Sequence, residues 1–151
     1  MNALELLIYL TEKQIDRVFE TARKLPPDKL DWKPAPGARS ALNQLQEIAT
    51  SLPEFWPAFT ERKMEWDQEK MANWVTEREK ITSLDELEAI TREHTRRLID
   101  LIKTLDEKDL TTAVQMPFPG PYNMADILSY HYWNAAYHEG QIVYISTLLD
   151  A

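Results

Sequence analysis

The chain has 151 residues, 44% of them hydrophobic and 10% aromatic, which is enough to bury the core of one domain without staples. Its 17 basic against 25 acidic residues give a net charge of -8, which repels phosphate backbones and anionic lipid and argues against nucleic-acid and membrane partners. The absence of cysteine removes disulfides, thiolate metal sites and a cysteine nucleophile, and fits a reducing, cytoplasmic setting.

Only three glycines, with prolines in clusters, predict long helices separated by a few marked breaks. The first helix is expected from about Asn2 to Lys24, with Leu4, Leu7, Ile8, Ile15, Val18, Phe19 and Ala22 on one face. Its start, Leu4 to Leu10, contains Glu5 and is too short for a secretory signal or a membrane span. Pro26 and Pro27 end this helix, and the segment to Arg39 reads as an ordered loop pinned by Leu30 and Trp32.

Ser40 is placed to cap the second helix, whose face is Ala41, Leu45, Ile48, Leu52, Phe55 and Phe59. Pro53 and Pro57 should kink or end it. The charged stretch 60–81 carries Met64, Trp66, Met71 and Trp74 and reads as a partly helical connection. Ser83 and Glu86 form an S-x-x-E cap for the third helix, with a seam of Leu84, Leu87, Thr91, His94, Leu98, Leu101 and Leu105. After the break MPFPGPYN, the last helix carries Met124, Leu128, His131, Ala135, His138, Ile142, Ile145 and Leu149 on one stripe. The prediction is an all-α, antiparallel up-down four-helix bundle, one domain over residues 1–151.

All three histidines, His94, His131 and His138, fall on these seams. Each alone reads as a packed histidine bonded to a neighbour; together they suggest a polar interior pocket. His131 and His138 share a face but rise about 10.5 Å apart, too far for one metal, whereas Asn134 lies the required four residues before His138. Glu47 falls outside the apolar stripe, in a row with Asn43, Gln44, Ser51 and Glu54, and by angle reads as an exposed carboxylate. The runs EREK and DELE read as solvated helix faces. There is no P-loop, dinucleotide fingerprint or H-E-x-x-H motif.

The segments LPPDKLDWKPAPGARSA, LNQLQEIATS and YHEGQIVYI, in this order, resemble the DinB-like superfamily, and the last resembles its Y-H-x-G-Q-I signature. That family includes YfiT-type metal-dependent hydrolases and bacillithiol- and mycothiol-dependent transferases. The resemblance implies a divalent metal on three histidines, one from the second helix and two from the fourth spaced H-x-x-x-H. The corresponding positions here are Glu47, Asn134 and His138, of which only His138 keeps the family residue. Such an oxygen-richer set would hold nickel, zinc, iron or manganese weakly or not at all. Around it the resemblance implies a small-molecule cleft, with Tyr130, Trp133 and Tyr137 as walls, Gln141 as an amide contact, and His131 and His94 nearby.

Three functions are therefore expected to compete. One is a metal or small-molecule site between the second and fourth helices. The second is a metal-dependent hydrolase or bacillithiol/mycothiol-type S-transferase, and the third a non-catalytic dimeric module with a degenerate site. A homodimer is expected because Trp66, Trp74, Tyr132 and Trp133 exceed what one seam needs. The charge makes a direct prediction: at physiological salt, fluorescence anisotropy should detect no binding to duplex DNA, and micromolar, salt-sensitive binding would refute it.

Overall fold

The computed structural model describes residues 1–150, and among these the chain forms five α-helices and one minimal hairpin. Helix α1 spans Ala3–Arg23; Asn2 accepts the Glu5 N–H at 2.8 Å while the Glu5 carboxylate accepts the Asn2 N–H at 2.9 Å. Helix α2 spans Ala41–Glu61 behind the Ser40 cap, and α3 spans Gln68–Arg78 behind Asp67. Helix α4 spans Leu84–Ile102 behind Ser83, and α5 runs Met124–Asp150. Strands β1 (Ala113–Val114) and β2 (Tyr122–Asn123) pair antiparallel ahead of α5.

The four long helices form the bundle, and its two core clusters fix their directions. At one end Leu4 of α1 and Leu128 of α5 meet Phe59 of α2 and Ile102 of α4. At the other, Phe19 of α1 and Ile142 of α5 meet Leu45 of α2 and Leu87 of α4. Helices α1 and α5 thus run one way and α2 and α4 the other, with α1 beside both α4 and α5 and α2 beside the same two. The apolar stripes identify the buried faces but carry no information on this order, up-down-down-up.

Two parallel neighbours, α2 and α4, oblige the chain between them to travel back along the bundle. Residues 62–83 do so, with α3 as the return segment. It is held by the Trp74 Nε1–H donated to Thr50 Oγ1 at 2.8 Å and by Gln46 Nε2–H donated to the Ile81 carbonyl at 2.8 Å. The expectation of partial helix in 60–81 is met by Gln68–Arg78. The loop before α2 is also ordered, with Leu30 and Trp32 against the core and the Leu42 N–H bonded to the Leu30 carbonyl at 2.7 Å.

Of the two outcomes expected at Pro53 and Pro57, a kink or an end, the end does not occur: α2 continues through both. Pro53 has no N–H for the carbonyl of Ala49, four residues earlier, and that carbonyl lies in the core. His94 of α4 supplies the missing donor, its Nδ1 standing 2.9 Å from the Ala49 oxygen. The seam position of His94 therefore repairs a helix rather than serving a cleft.

His94→Ala should cost about 1–3 kcal/mol in denaturant unfolding, because it leaves a buried carbonyl unpaired. In a Pro53→Ala background the restored N–H should remove much of that penalty; equal costs in both backgrounds would refute the repair.

Candidate functional site

The polar centre lies between α2 and α5, which run antiparallel here. His138, 1% exposed, places Nδ1 2.8 Å from Gln44 Oε1 and Nε2 3.1 Å from Glu47 Oε1. The other Glu47 oxygen, Oε2, accepts from Arg39 Nη2 at 2.6 Å, and Arg78 Nη1 stands off at 3.8 Å. Arg39 comes from the loop before α2 and is itself steered by Asn43, whose Oδ1 accepts its Nε–H at 2.6 Å. Four separate segments thus converge on one carboxylate.

Glu47 is therefore not the exposed carboxylate that its helical angle suggests. Its row is inward-facing, with Gln44 and Ser51 buried, because Arg39 and α3 cover that side of α2. Burial by itself raises a carboxyl pKa, but the bond from His138 and the charge of Arg39 outweigh it and bring Glu47 down to about 2. Burial, reinforced by the Glu47 charge, pushes the Tyr130 phenol up. Burial pulls the Arg78 guanidinium down, opposed by Glu47, but arginine stays charged.

The remaining residues singled out in the sequence divide by location. Asn134 is buried one turn before His138, its Nδ2 without a partner. Tyr130 stacks on Phe55 at 4.4 Å, Trp133 on Tyr137 at 5.6 Å, and Tyr137 meets the His138 ring edge-on at 5.3 Å. Tyr137 and Gln141 also line an outer groove of about 520 Å³ with Arg39 and Gln44. Trp133 and Tyr137 are more than half exposed, so they form an outer rim rather than an enclosed wall.

His131 and His94 are not part of this centre. Thr95 donates its hydroxyl to the Thr91 carbonyl, so its oxygen accepts from His131 Nε2–H at 2.9 Å, leaving Nδ1 bare. Complete burial, then the nearby His94, lower the His131 pKa to about 3, so it is neutral packing.

Arg39, Gln44 and Arg78 escaped the sequence reading. Arg78 belongs to EREK, read as a solvated face, yet it is 7% exposed and stacks over Trp74 at 4.3 Å. The available signal was the four-residue spacing of Trp74 and Arg78, which places both on one side of a helix. Trp66 and Trp74, expected at a dimer interface, instead pack edge-to-face at 5.7 Å beneath α3.

Residues 10–142 match the DinB superfamily. The chain belongs to the DinB superfamily. Among solved structures it resembles YfiT of Bacillus subtilis, a probable metal-dependent hydrolase with an unusual four-helix bundle topology. The two share 16% identity at a TM-score of 0.81, over 99% of this chain and 90% of that one. A DinB-like protein of Bacillus cereus aligns at 17% identity and a TM-score of 0.66, over 91% and 86%. The colibactin self-resistance protein ClbS, solved with double-stranded DNA, aligns at 12% identity and 0.71, over 95% of each chain. Such identities carry the fold alone. No curated protein sequence matches.

The family's metal fits these residues poorly. Among the described residues no three His, Cys, Asp or Glu side chains form a group that could hold an ion. The His138–Glu47 contact is a hydrogen bond only with the proton on Nε2, and a nitrogen so protonated has no lone pair for a metal. Arg39 already neutralises the second carboxylate oxygen.

Glu47→Gln should lower stability by about 1–2 kcal/mol at pH 7, somewhat below the value for a fully enclosed charged bond because Glu47 keeps some solvent contact. Since folding lowers this carboxyl from 4.5 to about 2, its contribution is complete above pH 4.5 and fades as pH falls toward 2. Denaturation series at pH 7 and pH 3 should show the gap narrowing; a constant gap would refute the assignment.

Proposed function

We propose that this DinB-superfamily protein is a small-molecule binder whose polar cleft between α2 and α5 is organised by a carboxylate–arginine–histidine cluster in place of a tightly held divalent metal. The observation that carries the reading is that both oxygens of Glu47 are engaged, one by His138 and one by Arg39. Two arginines and one glutamate leave the centre with an excess of positive charge, which opposes a dication and suits an acceptor-rich organic ligand. ClbS's DNA is not carried over, since the chain's net charge of -8 opposes a phosphate backbone.

A second reading is a metal-dependent hydrolase or thiol S-transferase with a weak ion at Glu47, Asn134 and His138. It is favoured by the 3.1 Å approach of Nε2 and Oε1 and by the likeness to YfiT. The residues do not fit a bound ion well enough to derive a reaction step through it.

Calorimetric titration of metal-free protein with zinc and nickel separates the two. We expect no stoichiometric binding tighter than about 10 μM, a free energy of roughly -7 kcal/mol. Submicromolar, stoichiometric binding that His138→Ala abolishes would overturn the metal-free reading.

The homodimer is likewise proposed, on the face that carries Trp133 rather than the one that carries Trp66 and Trp74. Helix α5 is apolar on two sides: besides its buried stripe it exposes Trp133, Tyr137, Tyr144 and Leu148 along one outer line. A second copy would cover such a surface. Light scattering at tens of micromolar should give twice the monomer mass of 17.7 kDa, and Trp133→Glu with Tyr144→Glu should return it to the monomer. A monomeric wild type would refute the dimer.

A further inference from the structure

Beneath α3, on the far side of Glu47 from the outer groove, lies a separate cavity of about 230 Å³. Its walls are mostly aromatic, with Phe55, Trp66, Trp74, Phe118 and Tyr130, and the charged groups on them are Arg78 and Glu47. Three buried donors on these walls lack partners: Nε and Nη1 of Arg78 and Nε1 of Trp66. Arg78 is 93% buried by the complement of its 7% exposure, and its nearest carboxylate oxygen is at 3.8 Å, beyond hydrogen-bond range.

Folded proteins rarely leave such groups bare, because each unpaired buried donor costs about 1–3 kcal/mol and more when charged. Glu47 cannot relieve this deficit, since both its oxygens are taken by His138 and Arg39. What the cavity lacks is an acceptor. The missing partner must carry oxygens, an apolar body for the aromatic walls, and a single negative charge, because a second would face the Glu47 carboxylate. A carboxylate matches the buried guanidinium in charge and supplies the acceptor oxygens that its open donors lack. The volume lies below the ~300–1,000 Å³ of pockets for drug-sized ligands, so one ring is the natural size.

We propose that the α3 cavity is a binding site for a small aromatic monocarboxylate, its carboxylate held by Arg78 and the Trp66 indole N–H and its ring between the aromatic walls. This goes beyond the reading above, because the cavity is separate from the outer groove beside α5. The ordering is physical: Trp74 stacks on the guanidinium and holds its plane, and the anion completes the donors that the fold leaves open.

The test uses the full chain with sodium benzoate and its neutral isostere benzamide, followed by calorimetry and by the indole N–H resonances of Trp66 and Trp74. Benzoate should bind at least about tenfold more tightly than benzamide and shift the Trp66 resonance, the effect of one charge-assisted bond. Arg78→Gln should reduce benzoate affinity about tenfold or more, with Arg78→Lys in between. Trp66→Phe keeps an aromatic wall and removes the N–H, and should weaken benzoate several-fold and benzamide less. Benzoate and benzamide binding alike, neither binding at millimolar concentration, or Trp66→Phe leaving benzoate affinity unchanged would each overturn the proposal. Tight zinc binding with the benzoate preference intact would refute the metal-free reading of the Glu47 centre and still support this site.

Discussion

The parallel placement of α2 and α4 as neighbours is the constraint on which the rest of this structure depends. Two parallel helices cannot be joined by a short turn, so residues 62–83 must retrace the length of the bundle. That return segment could have been solvated loop, but Trp74 and Gln46 bond it to α2 and make it a lid of ordered helix. With the lid come Arg78, Trp66 and Trp74, and with them a roof over the row of α2 that the apolar stripe leaves out. Glu47 is half-buried as a consequence of topology.

A carboxylate covered in this way must be compensated, and the chain does so with arginine charge and an imidazole hydrogen bond. Arg39 arrives from the loop before α2, Arg78 from α3, and His138 from α5. Burial works against the charged form, and the surrounding donors more than offset it. The same donors also occupy the electron pairs that a metal would need. The Glu47 carboxylate thus brings its own cation with it.

Much of this was legible in the sequence, for physical reasons that differ by element. Long amphipathic stripes in α1, α4 and α5 mark helices because burial imposes a 3.6-residue period, and the caps Ser40 and Ser83 fix where α2 and α4 begin. Family likeness brought Glu47 and His138 together across 91 positions, which no local pattern could. Pro53 left open whether α2 continues, since that depends on a donor for the freed carbonyl, and His94 is 45 residues away in sequence. Arg78 was passed over for a related reason. In EREK it alternates with acids like any solvated charge, and only the lid's position, a consequence of helix order, turns it inward.

The central claim is that Arg39, rather than a metal ion, balances Glu47. It is tested most directly by a crystal structure of the protein grown with millimolar zinc, with anomalous data collected at the zinc edge. The account predicts no anomalous peak between Glu47 and His138, and an Arg39 guanidinium in hydrogen-bond contact with the carboxylate. A strong peak within about 2.0–2.2 Å of Glu47 oxygen and His138 Nε2, with Arg39 swung away, would contradict it.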